Sequence, residues 1–183
     1  MPPASRAHAV QEFGRARIVD VEPGTCCIGA WGNITLTYWE GRGTAPAVER
    51  LARLGAEIRA QYPNGTSAIH LIREGAGMPT SEGRDGLTRL MNTNVDRLAC
   101  VGVMIGGGGF WSSAIRSMIT GMRALSSRAY QLKLVGSIEE LVAWLPEPHE
   151  RRTGIAVDPA ELRRALETAL TWTSNLPAET DLE

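Results

Sequence analysis

LACVGVMI at residues 98–105, the four glycines after it and FWSSAIRSMITGM at residues 110–122 form the stretch that decides the fold. The first segment is almost entirely apolar, as is typical of a strand with both faces buried. The glycines predict a turn, and the apolar residues that follow recur at helical spacing from Phe110 to Met122. A buried strand that leads into an amphipathic helix indicates an α/β fold with parallel strands.

Towards the amino terminus, the sequence predicts a meander of three short strands. These strands cover residues 16–21, 25–31 and 34–39. Gly32-Asn33 is a two-residue connection of the kind that joins antiparallel strands in a hairpin. A helix, an apolar strand at residues 67–72 and a second helix starting at Thr80 or Ser81 come next. The chain therefore passes from antiparallel hairpins to β–α units.

Towards the carboxyl terminus, the sequence predicts one more strand and two more helices. The strand covers residues 131–135, and Ser137 with Glu140 forms a capping box for the helix behind it. The charged segment 149–157 is interpreted as a linker. Asp158, followed by a proline, is a good amino-terminal cap for a last amphipathic helix over residues 158–175.

The predicted architecture is one α/β domain over residues 15–148. It has a mixed, largely parallel sheet of about five strands with four helices, and the carboxyl-terminal helix is extra. Residues 1–14 and 176–183 are interpreted as tails.

The order of elements resembles the STAS family, typified by bacterial anti-sigma-factor antagonists, and in particular its divergent cytosolic branch. The resemblance spans residues 16–147. It rests on the strand from Arg97 to Val103 ahead of Phe110-Trp111, on the short strand 132–135 and on GSIEELVAWL at residues 136–145. The resemblance implies a non-catalytic regulatory module that binds a protein partner, either a regulator or a kinase-like protein.

Ser81 and Thr80 are the candidate phosphorylation sites. STAS partner switches carry Asp-Ser-Ser/Thr-Gly at the start of their second helix, and the serine is phosphorylated there. The corresponding stretch here is MPTSEG at residues 78–83, which has the hydroxyl pair but lacks the aspartate. The alternative interpretation is that one hydroxyl simply caps the helix, as Ser and Thr commonly do.

The glycine turn and the helix start behind it are a candidate ligand or partner site. Glycines between a strand and a helix can let backbone amides approach a phosphate. No complete phosphate-loop or dinucleotide-binding motif is present, and a simple flexible turn is the alternative. The residues of this candidate site are Gly106, Gly107, Gly108, Gly109, Trp111, Ser112 and Arg116.

The bulk composition argues against several other functions. The net charge of −1 gives no strong field for nucleic acid or an anionic membrane, and no membrane-spanning run is present. Three cysteines, two of them adjacent, do not form a disulfide framework and fit the cytoplasm. The spacing of His, Cys, Asp and Glu predicts no metal site, and no cofactor motif or catalytic constellation is visible. His70, within a strand, is interpreted as a core histidine.

Two functions follow from these patterns. The first is the STAS-like interaction module, gated by phosphate at Ser81 or Thr80. The second is a binding domain for a small anionic or apolar ligand, held by the loops 75–79 and 106–109 at the carboxyl edge of the sheet, where α/β proteins usually bind ligands. An enzyme of unknown reaction ranks last, and the sequence leaves open whether the chain forms a homo-oligomer.

Overall fold

The computed structural model describes residues 13–93, 95–124 and 130–174, and its centre is one six-stranded sheet. The strands follow one another across the sheet in the order of the sequence. They are β1 (Arg17–Glu22), β2 (Cys26–Trp31), β3 (Ile34–Trp39), β4 (Thr66–Ile72), β5 (Leu98–Ile105) and β6 (Gln131–Val135).

The sheet is mixed but largely parallel. The pairs β1–β2 and β2–β3 are antiparallel, whereas β3–β4, β4–β5 and β5–β6 are parallel. The predicted α/β class is therefore confirmed, with six strands in place of about five. The predicted hairpin also forms, since Trp31 pairs with Ile34 across Gly32-Asn33.

The helices lie in two layers, one on each face of the sheet. They are α1 (Ala45–Gln61), α2 (Ser81–Asn92), α3 (Gly109–Ala124), α4 (Ile138–Trp144), α5 (Pro146–Thr153) and α6 (Pro159–Leu170). Helices α1, α2 and α3 connect successive parallel strands that advance in one direction. Because such crossovers are right-handed, the three helices share one face. Helices α4, α5 and α6 follow the last strand and cover the other face, where Leu141, Leu145 and Leu162 are fully buried.

The carboxyl-terminal helix is part of this core. Leu162, Leu166 and Ala169 of α6 are completely buried with strand residues such as Leu36. Trp172, just beyond the helix, packs against β2, where a Cβ added to Gly29 would lie 2.3 Å from the indole ring. The sheet thus depends on α6 to cover one of its faces.

Residues 149–157, interpreted above as a linker, begin inside a helix. Residues Pro146–Thr153 form α5, in which Pro148, His149 and Thr153 are buried. Two prolines can stand there because the first turn of a helix does not need their missing N–H groups. The last helix occupies Pro159–Leu170, so it is shorter than the predicted span of 158–175.

Both predicted tails lie mainly outside the described residues, and 176–183 does so completely. Phe13 is the first described residue, and its ring meets the ring of Trp31 edge-on at 5.1 Å. Within the described parts of the chain, no helix combines the length and the apolarity needed to cross a bilayer.

Candidate functional site

The predicted glycine turn is filled by a side chain of the protein itself. Gly107 has a φ of 72°, a conformation that glycine adopts without strain. The Glu74 carboxyl group lies against it, because a Cβ added to Gly107 would be 2.5 Å from Glu74 Oε1. An anionic ligand placed at this turn would therefore meet a carboxylate before it met the backbone amides.

The polar groups next to the turn hold local structure together. The Trp111 indole N–H donates to the carbonyl of Ala76 at 2.9 Å, and Ser112 donates to the carbonyl of Gly109 at 3.2 Å. Arg116 donates to the carbonyl at the end of β6, Val135, at 3.1 Å. The structure thus directs these three side chains to backbone carbonyls rather than to a shared pocket.

Thr80 and Ser81 lie side by side at the start of α2 but have different surroundings. The Thr80 hydroxyl accepts the backbone N–H of Gly83 at 3.0 Å, so Thr80 is the helix cap. Ser81 is the first helical residue, and its side chain is exposed. The capping interpretation therefore applies to Thr80, and Ser81 is the hydroxyl that solvent reaches.

A cavity of about 150 Å³ lies between α2 and the sheet, and it is partly open to solvent. It extends from the carboxyl edge of the strands, at Gly41 and Gly77, to their amino edge, at Thr66 and Leu98. Most of its lining is apolar. The apolar residues include Leu51, Ala68, Ile72, Leu87, Leu90, Met91, Val101, Val103, Ile115, Met118, Ile119, Met122 and Leu132.

The cavity exists because α2 docks through glycines. The only buried residues of α2 are Gly83 and Gly86. An added Cβ would lie 2.2 Å from the carbonyl oxygen of Gly43 at Gly83, and 3.2 Å from Val48 at Gly86. The helix therefore rests closely on α1 and on the loop ahead of it. The apolar stripe of α2, formed by Leu87, Leu90 and Met91, faces the sheet across a gap.

Three methionines make the cavity wall adaptable. Met91 lies on α2, Met118 and Met122 lie on α3, and all three are half-buried. Methionine has an unbranched, flexible and polarisable side chain that repacks around ligands of different shape. A wall of this kind suits an apolar ligand better than a rigid polar one.

His70 and Trp39 supply a polar group to the cavity lining. The Trp39 indole N–H donates to His70 Nδ1 at 3.4 Å, so the neutral ring carries its proton on Nε2. Desolvation by burial lowers the pKa of His70 to about 4, which keeps the ring neutral at physiological pH. In this tautomer His70 brings a hydrogen-bond donor, Nε2–H, to the cavity lining.

Arg59 lies at the amino edge of the same cavity. It is the only charged side chain among the described residues that line it. Burial lowers its pKa because desolvation disfavours the charged guanidinium, and the positive charge of the neighbouring Arg97 lowers it further. No carboxylate of the described residues lies within ion-pair distance of its guanidinium.

A serine–histidine pair on the opposite face of the sheet is sealed inside the protein. Ser67 Oγ lies 2.8 Å from His149 Nδ1 and 3.2 Å from Cys100 Sγ. The exposed fractions are 1% for Ser67 and 0% for His149, so no substrate reaches the hydroxyl in this structure. Burial lowers the pKa of His149 to about 4 and raises that of Cys100 to about 11.

Comparison with known proteins adds no relative. No protein-family model, no curated protein and no solved structure matches the chain. In residues 13–93, 95–124 and 130–174, no group of three or more His, Cys, Asp or Glu side chains is placed to hold a metal ion.

The sequence did not identify the cavity residues as a site. Leu87, Leu90 and Met91 recur at helical spacing, and such a stripe normally predicts contact with the core. Arg59 follows directly after the buried Ile58 of α1. Arg53 stands equally close to the buried Leu54 and is exposed, so a position beside the buried stripe does not single out Arg59.

Proposed function

We propose that this chain is a non-catalytic binding module for an apolar small molecule, held beneath α2. The observation that carries the proposal is the incomplete burial of the apolar stripe of α2. Leu87, Leu90 and Met91 line the cavity and stay only half-buried, while the buried positions of the helix are two glycines. A ligand that removes these apolar side chains from water lowers the free energy by about 25 cal/mol for each Å² of apolar surface buried.

The size of the cavity fits this role. A cavity of about 150 Å³ with an apolar lining is large enough for a molecule of the size of benzene. Because the cavity is partly open to solvent, it leaves room for a longer chain. Of the two loops predicted to hold a ligand, part of the first borders the cavity through Ala76, Gly77 and Pro79. The second, the glycine turn, lies outside the lining.

Gentle purification followed by native mass spectrometry tests the proposal for a co-purifying ligand. The ligand-free protein is then titrated with an uncharged fluorescent probe such as 1-aminoanthracene. Ala68 lies on β4 at the floor of the cavity, so Ala68→Leu fills it. We expect this variant to bind the probe at least about tenfold more weakly, a difference of about 1.4 kcal/mol.

Ala114→Leu is the matched control, because Ala114 is half-buried on α3 but does not line the cavity. The control is expected to bind the probe as the unaltered protein does. Equal affinity of Ala68→Leu and the unaltered protein, with both folded, would contradict the proposal.

A regulatory interaction module is the second candidate, and Ser81 is the observation that favours it. Ser81 is exposed at the start of the helix that covers the cavity. A phosphate there would add about −1.5 to −2 charge to that surface. Phe110, with an exposed fraction of 91%, offers an apolar contact for a protein partner on the same side of the sheet.

A tagged pull-down, with mass spectrometry of the phosphorylated residues of the bait, tests this second candidate. Ser81→Asp and Ser81→Ala should differ in affinity for a partner, such as a kinase-like regulator, whereas Ser113→Asp on the exposed side of α3 should not. Equal affinities for all variants would argue against gating at Ser81.

A STAS relationship and a cytoplasmic location are proposed together with the regulatory interaction module. The order of elements over residues 16–147 supports the first. Three free, buried cysteines support the second, because a reducing compartment keeps such thiols unpaired.

A further inference from the structure

We propose that the ligand beneath α2 is an amphipathic monocarboxylate, with its head group bound by Arg59 and its apolar chain extended along the cavity. This inference rests on the proposed function and specifies the chemical class of the ligand. The cavity lining contains one cation and no anion among the described residues.

The position of Arg59 places its charge at one end of a mostly apolar space. The side chain is half-buried on the last turns of α1, at the amino edge of the sheet. Its guanidinium folds back along α1, since a Cβ added to Gly55 would lie 3.1 Å from Nη1. Gly55 also lines the cavity, so its missing side chain gives the guanidinium room beside the bound chain.

A half-buried guanidinium without an anion is unfavourable, and arginine cannot relieve this by losing its proton. Arg97 makes the situation worse, because its positive charge acts on Arg59. A carboxylate would relieve both effects. It matches the planar fork of the guanidinium and can accept two parallel hydrogen bonds from it.

The rest of the cavity lining indicates which kind of apolar group the carboxylate carries. Thr66 and Thr93 are the neighbouring polar residues at this end, and beyond them lie Leu90, Met91 and Met122. β4 lines the cavity from Thr66 to Ile72, about 20 Å at the usual rise of about 3.3 Å per residue. An unbranched hydrocarbon chain can extend along this length from a head group at Arg59.

A comparison of decanoate with decanol tests the inference, since the two differ only in the head group. Each is titrated against ligand-free protein by isothermal calorimetry, at a pH where decanoate is ionised. We expect the unaltered protein to prefer decanoate by about tenfold or more. Arg59→Gln should lose most of this preference, because only decanoate gains from the positive charge.

Arg53→Gln is the matched control, because Arg53 lies on the same helix but is exposed and away from the cavity. It should keep the full preference for decanoate. If the unaltered protein binds both ligands equally, or if Arg59→Gln keeps the preference, the carboxylate inference is overturned while the apolar binding function stands. If neither ligand binds, the proposed function fails as well.

Discussion

The Ser67 hydroxyl and the His149 imidazole lie 2.8 Å apart across 82 positions of the sequence, Oγ to Nδ1. This contact joins β4 to α5 on the face of the sheet away from the cavity. His149 is completely buried, and its Nε2 has no hydrogen-bond partner among the described residues. The ring is therefore held neutral by its surroundings, in the same way as His70 beneath α2.

The two histidines predict that the protein loses stability in mild acid. Their pKa is 6.5 in the unfolded chain and about 4 in the folded one. Between these values the unfolded state binds more protons, so the free energy of unfolding decreases as the pH falls. The loss is at most about 3 kcal/mol for each histidine and is complete near pH 4.

Urea unfolding between pH 7 and pH 4 measures this effect, with His70→Gln and His149→Gln as variants. Each variant should remove about half of the pH-dependence in this window. Glu82 and Glu139 have a lowered pKa, so their contribution is lost only at lower pH and is separable. A double variant with the full pH-dependence of the unaltered protein would show that other groups cause it.

Gly83→Ala is expected to displace α2. An added Cβ would lie 2.2 Å from the carbonyl oxygen of Gly43, which is backbone and yields little. We expect a loss of about 1–3 kcal/mol in the free energy of unfolding, typical of overpacking, and faster amide exchange confined to α2.

Gly121→Ala is the control for that variant. Gly121 lies in α3 with no atom within 4 Å of an added Cβ, so alanine should stabilise the helix by about 0.5–1 kcal/mol. Destabilisation by both substitutions would indicate that the close α2 contact is not the cause.

Trp172→Ala is expected to destabilise the whole domain. Trp172 is buried against Gly29 in the main core, and truncation of a buried tryptophan typically costs about 3–5 kcal/mol. Glu167→Ala, on the exposed side of α6, should change the free energy of unfolding by less than about 0.5 kcal/mol. Thermal unfolding compares the midpoint temperatures of the two variants. A similar midpoint for both would mean that the segment after α6 is dispensable.

Local patterns in the sequence were sufficient for the sheet and most of the helices. The apolar run at Leu98–Ile105, the hairpin at Gly32-Asn33 and the caps at Thr80 and Asp158 are all decided by near neighbours. The fold class could therefore be predicted from these segments alone.

Features that depend on distant contacts could not be predicted in this way. The stretch around His149 is charged and proline-rich, and its burial depends on Ser67 far upstream. The cavity beneath α2 depends on the close approach of Gly83 to Gly43, two residues 40 positions apart in the sequence. A periodic stripe specifies which side of a helix faces inward, but not the distance to the next layer.

¹³C-methyl methionine NMR detects whether an apolar molecule binds beneath α2. Met91, Met118 and Met122 line the cavity, whereas Met78 is exposed and Met104 lies on the opposite face of the sheet. Addition of 1-aminoanthracene to ligand-free protein should shift the first three methyl signals in a saturable way and leave those of Met78 and Met104 in place. Unchanged signals from all three cavity methionines at saturating probe would contradict the account.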